Sequence, residues 1–171
     1  MPQHKDIIDL LVDDWKQERP ELNAEAMHVV GRILKLGKVL EKQAGTALKS
    51  SNIHYTDLDV LATIRRSGPP YQLAPKQLME SVLITSGAMT ALLERLTKLE
   101  LISRMPAEHD GRVKLAALTN KGKQVIDEAI VVRFAQANSA VKGLTRTEQK
   151  ALGGLLKKML NYLEMDYESQ E

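Results

Sequence analysis

Apolar residues recur along most of this chain at the spacing of helices that bury one face. The pattern is sharpest over residues 75–98. Leu78, Met79, Val82 and Leu83 predict one helix there. Met89, Leu92, Leu93 and Leu96, at i, i+3, i+4 and i+7, predict a second. Pro75 suits the first turn of the first helix, where a missing N–H costs nothing. Ile84-Thr85-Ser86-Gly87 makes a tight turn between the two, with Thr85 or Ser86 placed to cap the second helix.

Upstream, residues 5–18 predict a short amphipathic helix with Ile7, Ile8, Leu11 and Trp15 on one face, stopped by Pro20. Trp15 reads most simply as an anchor that docks this helix. Asn23 then caps a long helix running toward Ser50, with Met27, Val30, Leu34, Gly37, Leu40, Ala44 and Leu48 as its stripe. At about 27 residues it is roughly 40 Å long, more than a small domain covers alone. Gly31, Gly37 and Gly45 lower its propensity and suit either a close crossing or a bend. A third helix spans residues 56–66, with Thr56 and Asp59 as a capping box and Ser67-Gly68-Pro69-Pro70 as its stop.

After the helix pair the period changes. Residues 101–105 and 113–118 have strand character, and Asp110-Gly111 between them is a strong turn signal. Thr119 then opens a helix carrying Val125, Ile126, Ala129, Ile130 and Phe134, which Gly143 breaks. Thr145 and Glu148 form a capping box for a last helix bearing Leu152, Leu155, Leu156, Met159, Leu160 and Leu163.

The other face of the second helix of the pair carries Ser86, Gly87, Thr90, Ala91, Glu94, Arg95 and Lys98. It begins small and hydroxylated and ends charged, which suits a helix whose N-terminus enters a major groove. The pair therefore reads as a helix-turn-helix and the hairpin after it as a wing with Arg112 at its tip. An ordinary helical hairpin has the same spacing. The candidate DNA contacts are Lys76, Thr85, Ser86, Gly87, Thr90, Ala91, Arg95, Asp110, Arg112 and Lys114. Lys121 and Lys123 lie near enough to reach phosphates, although a solvated surface explains either one as well.

Asp110-Gly111-Arg112, five residues, and then Leu118-Thr119-Asn120-Lys121-Gly122 resemble the wing signature of the MarR family of winged-helix transcription regulators. Leu61-Ala62-Thr63 through Ser67-Gly68-Pro69-Pro70, and Ser86-Gly87-Ala88-Met89-Thr90, resemble the same family. The resemblance runs from about Trp15 into the C-terminal helices. It implies a mainly α fold with a small β-wing and a homodimer. It also implies a repressor of palindromic double-stranded DNA, relieved by a small aromatic or phenolic ligand. The Trp-bearing N-terminal helix followed by Glu18-Arg19-Pro20-Glu21-Leu22 is similar to the urate-responsive branch. In that branch a Trp of the added helix, an Asp early in the helix before the helix-turn-helix, an Arg of the recognition helix and an Arg at the start of the wing serve the effector site. Trp15, Asp59 and Arg104 fall on three of these positions, and Leu92 falls on the recognition-helix Arg, with Ala91 before it. Leu cannot replace Arg toward a purine anion. The resemblance thus implies an aromatic acid, phenolic or purine ligand at Trp15, Asp59 and Arg104, with a smaller or more apolar acid than urate the better fit.

Composition narrows the class further. With 171 residues and few aromatics, a single helical domain over residues 1–171 is expected. Residues 54–120 would form the winged part. Residues 1–50 and 121–171 carry more apolar stripe than that part needs and would serve dimerisation. The chain has no cysteine, which excludes disulfides and thiol sensing. It has no apolar run long enough to span a membrane and no signal-peptide core, so a cytoplasmic location is expected. Residues 54–123 hold ten Lys+Arg against seven Asp+Glu, a net +3, while the remainder holds fourteen against fifteen, a net −1. This is a mild basic excess over the reading head. No nucleophile elbow, phosphate loop or metal cluster occurs, so neither catalysis nor a cofactor is expected. His28 and His54 are the one pair that could meet as metal ligands, and two ordinary histidines account for them as well. Three functions fit: a ligand-responsive dimeric repressor, a DNA-binding regulator without a small-molecule ligand, and a helical interaction module that no longer binds DNA. The first accounts for the most features.

Overall fold

The computed structural model describes residues 4–82, 85–107 and 114–168. Its elements are α1 (Ile7–Glu18), α2 (Met27–Ala47), a 3-10 turn (Leu48–Ser51), α3 (Tyr55–Arg66), β1 (Gln72–Leu73), α4 (Pro75–Ser81), α5 (Ser86–Lys98), β2 (Ile102–Pro106), β3 (Lys114–Leu118), α6 (Asn120–Ala140) and α7 (Arg146–Glu168). The fold is mainly helical with a small β-wing. The strands form one antiparallel sheet in the order β1-β3-β2, with Arg104 opposite Ala116 and Gln72 opposite Ala117. β1 is two residues long, too short to leave an alternating pattern in the sequence.

The described chain divides into two compact units, residues 1–130 and 131–171. The core of the first is built around α3 and α5. Leu58, Leu61 and Ile64 of α3 meet Leu78 of α4 and Met89, Leu92, Leu93 and Leu96 of α5. Ile102, Ala116, Ile126 and Ala129 close it. The first turns of α6, which the sequence assigned to dimerisation, are thus part of the winged core. Gly122 allows this approach. A β-carbon there would stand 1.9 Å from the Leu101 carbonyl oxygen.

Local chemistry explains most helix starts, and two of them, those of α2 and α3, differ from expectation. Asp6 caps α1 by accepting the Ile8 and Asp9 N–H groups, while the Asp9 carboxylate accepts the Asp6 N–H. Asn23 closes a turn on the Glu25 N–H, and α2 starts later, after Ala26, without a side-chain cap. The box of α3 is His54 with Asp57, not Thr56 with Asp59. The helix begins at Tyr55, so Asp57 is the third helical residue and its Oδ2 takes the His54 N–H at 2.7 Å. Pro75 opens α4, Thr85 caps α5, and Gly122 donates its N–H to Thr119 Oγ1 at the start of α6, as the spacing predicts.

The buried face of α1 also differs. Ile8 and Val12 pack with Ala24, whereas Ile7, Leu11 and Trp15 are exposed. The reason is Gly31 of α2, whose missing β-carbon lets Ile8 approach and sets the seam between the helices along one i, i+4 pair. Arg32 of α2 locks that seam, reaching Asp6 at 2.9 Å and Asp9 at 2.6 Å. Trp15 therefore does not dock α1 on the body. Of the predicted α2 stripe only Ala44 and Leu48 are buried, and nothing lies near Gly37 or Gly45.

In the second unit α7 opens on the predicted capping box. Glu148 Oε2 accepts the Thr145 N–H at 2.7 Å, and Thr145 Oγ1 accepts the Glu148 N–H. Gln149 ties the preceding turn by donating to the Val141 and Leu144 carbonyls. No residue from 146 to 166 is buried, although Leu152, Leu155, Leu156, Leu160 and Leu163 line the helix.

Candidate nucleic-acid interface

The N-terminus of α5 is exposed. Thr85 holds an extended conformation and its Oγ1 accepts the Ala88 N–H at 3.4 Å. Ser86, Gly87, Thr90 and Ala91 are all exposed, and a β-carbon at Gly87 would meet nothing within 4 Å. The fold does not need glycine there. Its absence of side chain leaves the backbone open to approach, beside N–H groups that the helix itself does not use. Thr90 donates its hydroxyl proton to the Ser86 carbonyl, so its oxygen is presented outward as an acceptor.

The cations expected around this end are sorted by the fold. Lys76, in the first turn of α4, and Lys114, at the start of β3, are exposed. Lys121 is turned onto the end of α5, donating to the Leu99 carbonyl at 2.9 Å. Lys123 stands over the Tyr71 ring, with Arg65 also against that ring. Arg65 is held by two hydrogen bonds that it donates to the Asp127 carboxylate. Arg95 is half-exposed, and its guanidinium reaches the buried Asp57 at 3.0 Å. Asp110 and Arg112, expected at the wing tip, lie outside the described residues, as does Leu83 of the predicted first-helix stripe.

Two clefts flank α5. One, of about 440 Å³, lies between α5 and β2 and is lined by Pro75, Thr90, Leu93, Glu94, Thr97, Lys98 and Arg104. The other, of about 390 Å³, is lined by Asn52, Ala91, Glu94, Arg95, Lys98 and Leu99. Arg104 thus faces a cleft, as an effector ligand would require, but Trp15 and Asp59 do not line it. Trp15 is exposed on α1, and Asp59 is half-buried on α3, its carbonyl taking the Thr63 hydroxyl. Sequence reasoning missed Asp57 and Thr97, and placed Lys98 on the exposed face of α5 without counting it among the contacts. For Asp57 the available signal was a carboxylate standing directly before the apolar stripe of α3.

No metal centre appears among the described residues, where no three His, Cys, Asp or Glu side chains are placed to hold an ion. His28 receives an Arg32 N–H on Nδ1, and His54 serves the start of α3, so the two histidines stand at different helix starts.

The model of the MarR family matches residues 51–113, from the turn before α3 to the residue before β3. Over 163 residues, 95% of this chain and 98% of the relative, the chain is 26% identical to the HTH-type transcriptional regulator PecS of Dickeya dadantii.

Residues 51–113 carry the winged-helix pattern of the MarR family.

Solved MarR-family structures share its fold. A mutant of MarR from E. coli, complexed with operator DNA, superposes with a TM-score of 0.70 at 24% identity, covering 85% of this chain and 97% of that one. BpsR of Bordetella bronchiseptica, whose DNA binding is described as regulated by 6-hydroxynicotinic acid, does so with a TM-score of 0.70 at 20% identity, covering 79% and 94%. In this chain α4 and α5 are the helix-turn-helix, and β2 and β3 are the strands of the wing. No helix among the described residues is long and apolar enough to cross a membrane.

Proposed function

We propose that this protein is a dimeric DNA-binding transcription regulator that represses from a palindromic operator and is released by a small aromatic acid. The observation that carries the DNA reading is the open, hydroxylated N-terminus of α5, with Ser86, Gly87, Thr90 and Ala91 exposed in front of a wing. The operator complex of MarR supports it by shared fold. Dimerisation is supported by the apolar side chains left exposed on α1, α2 and α7, among them Leu34 and Leu36 on α2 and Leu155 and Leu160 on α7. Two reading heads on one axis would meet half-sites about one helical turn apart.

The effector is read from the cleft beside Arg104. Arg104 and Lys98 supply positive charge, Thr90 and Thr97 supply hydroxyls, and Leu93 and Pro75 supply apolar wall. That combination suits an aromatic carboxylate. A ligand there touches both α5 and the wing, so it would favour one placement of the reading head over another. The regulation of BpsR by an aromatic acid is consistent with this. Urate fits less well, because Leu92 is buried in the core and offers no cation.

The test is footprinting of the protein's own upstream intergenic DNA with and without a panel of aromatic acids. A protected near-palindrome that is released by one of them meets the proposal. Protection without release leaves a regulator with no such ligand, and the absence of protection removes the DNA reading.

A further inference from the structure

We propose that Arg95 is a positioning residue, held on Asp57 to fix the rotation of the recognition helix, and that it does not contact DNA. This rests on the DNA-binding reading and deepens it. Asp57 is fully buried, and one of its oxygens, Oδ2, accepts the His54 N–H at 2.7 Å and is ion-paired with Arg95 Nη2 at 3.0 Å. A single oxygen thereby joins the N-terminus of α3 to the third turn of α5.

The remaining restraints on α5 from this side are apolar. Met89, Leu92, Leu93 and Leu96 decide which face is inward, but burial of apolar surface has no direction and leaves small rotations cheap. An ion pair to a buried carboxylate weakens as its ends separate, so it makes such a rotation costly. With side chains the helix is about 10–12 Å across, so a turn of about 15° shifts a group at its surface by roughly 1.5 Å. That is enough to break a hydrogen bond from Ser86 or Thr90 to a base edge or phosphate.

The pair is committed inward. Arg95 Nε is buried, as is Asp57 Oδ1, and neither atom has a hydrogen-bond partner among the described residues. Withdrawing the guanidinium to reach a phosphate would leave the Asp57 carboxylate buried and without its cation. Lys98 lines the same cleft and is exposed, so it is the cation on this side free of that constraint.

The experiment uses the full chain and the duplex that it protects in a footprint. Operator affinity is measured over a range of salt for wild type, Asp57→Asn, Arg95→Gln and the double variant. If the recognition helix then spends only about a tenth of its time in the reading position, each single variant binds about tenfold more weakly. The slope of log affinity against log salt stays at the wild-type value, because no phosphate contact is lost. The double variant is no weaker than the weaker single one. A slope reduced by about one in Arg95→Gln overturns the proposal, and so does wild-type affinity in Asp57→Asn. If a single variant does not fold, Asp57→Leu combined with Arg95→Met strands neither charge and carries the same slope test. Wild-type protein that protects no duplex sinks the DNA reading itself, and this is seen before any variant is made.

Discussion

The α-carbon of Gly122 lies so close to Leu101 that a β-carbon would stand 1.9 Å from its carbonyl oxygen. The same oxygen accepts the Thr119 N–H at 3.1 Å, so it cannot yield without breaking the start of α6. Gly122→Ala is expected to cost about 3 kcal/mol or more, as overpacking against a fixed backbone does. Denaturant unfolding measures this, and an unchanged midpoint would contradict the packing described.

Acid should loosen α1 from α2. The Arg32 hydrogen bond holds the Asp9 carboxyl below its ordinary value of 3.8, and the Asp9 N–H, ahead of Arg32, does the same for Asp6. Groups with lowered folded values contribute fully above the unfolded value and lose that contribution as pH falls through the folded one. Emission from Trp15, the only tryptophan, should therefore change as pH falls below about 3.8. Arg32→Met should move that change to higher pH. An identical titration in both proteins would argue against the Arg32 lock.

Arg104→Gln should uncouple the effector from the operator. The side chain lines the cleft beside α5 and supplies the charge that an aromatic carboxylate needs. Operator binding should persist while release by the acid identified in the footprint shifts to at least about tenfold higher concentration, roughly 1.4 kcal/mol of lost binding. Normal release would place the ligand elsewhere.

The exposed side of α7 should prove to be subunit interface. Leu155 and Leu160 are 66% and 55% exposed on a helix with a row of further leucines. Leu155→Glu with Leu160→Glu should halve the mass seen by sedimentation and weaken operator binding, because each half-site then binds alone. A wild-type chain that already sediments as a monomer would refute this.

How much of this was legible in the residues differs element by element. The stripe of α5, its Thr85 cap, Pro75 at the start of α4 and the Thr145–Glu148 box all follow from interactions within a few positions along the chain. Neighbours at that range are spelled out by spacing alone. The α3 cap was misread by two residues because Thr56 and Asp59 offer the same box spacing as His54 and Asp57. Only the burial of Asp57 separates them.

The sequence alone determined the order of helices, the winged helix-turn-helix and the small, hydroxylated start of α5, because each rests on a local period or a local cap. Tertiary structure decided what each cation serves. Arg65 goes to Asp127, 62 residues away, Arg95 goes to Asp57, and Arg104 goes to an open cleft. It also decided that Ile8 and Val12, not Trp15, seat α1, and that α6 begins inside the winged core. The physical reason is that a charge or a helix face is chosen by whatever the packed fold brings beside it, and that partner lies far beyond the reach of any local pattern.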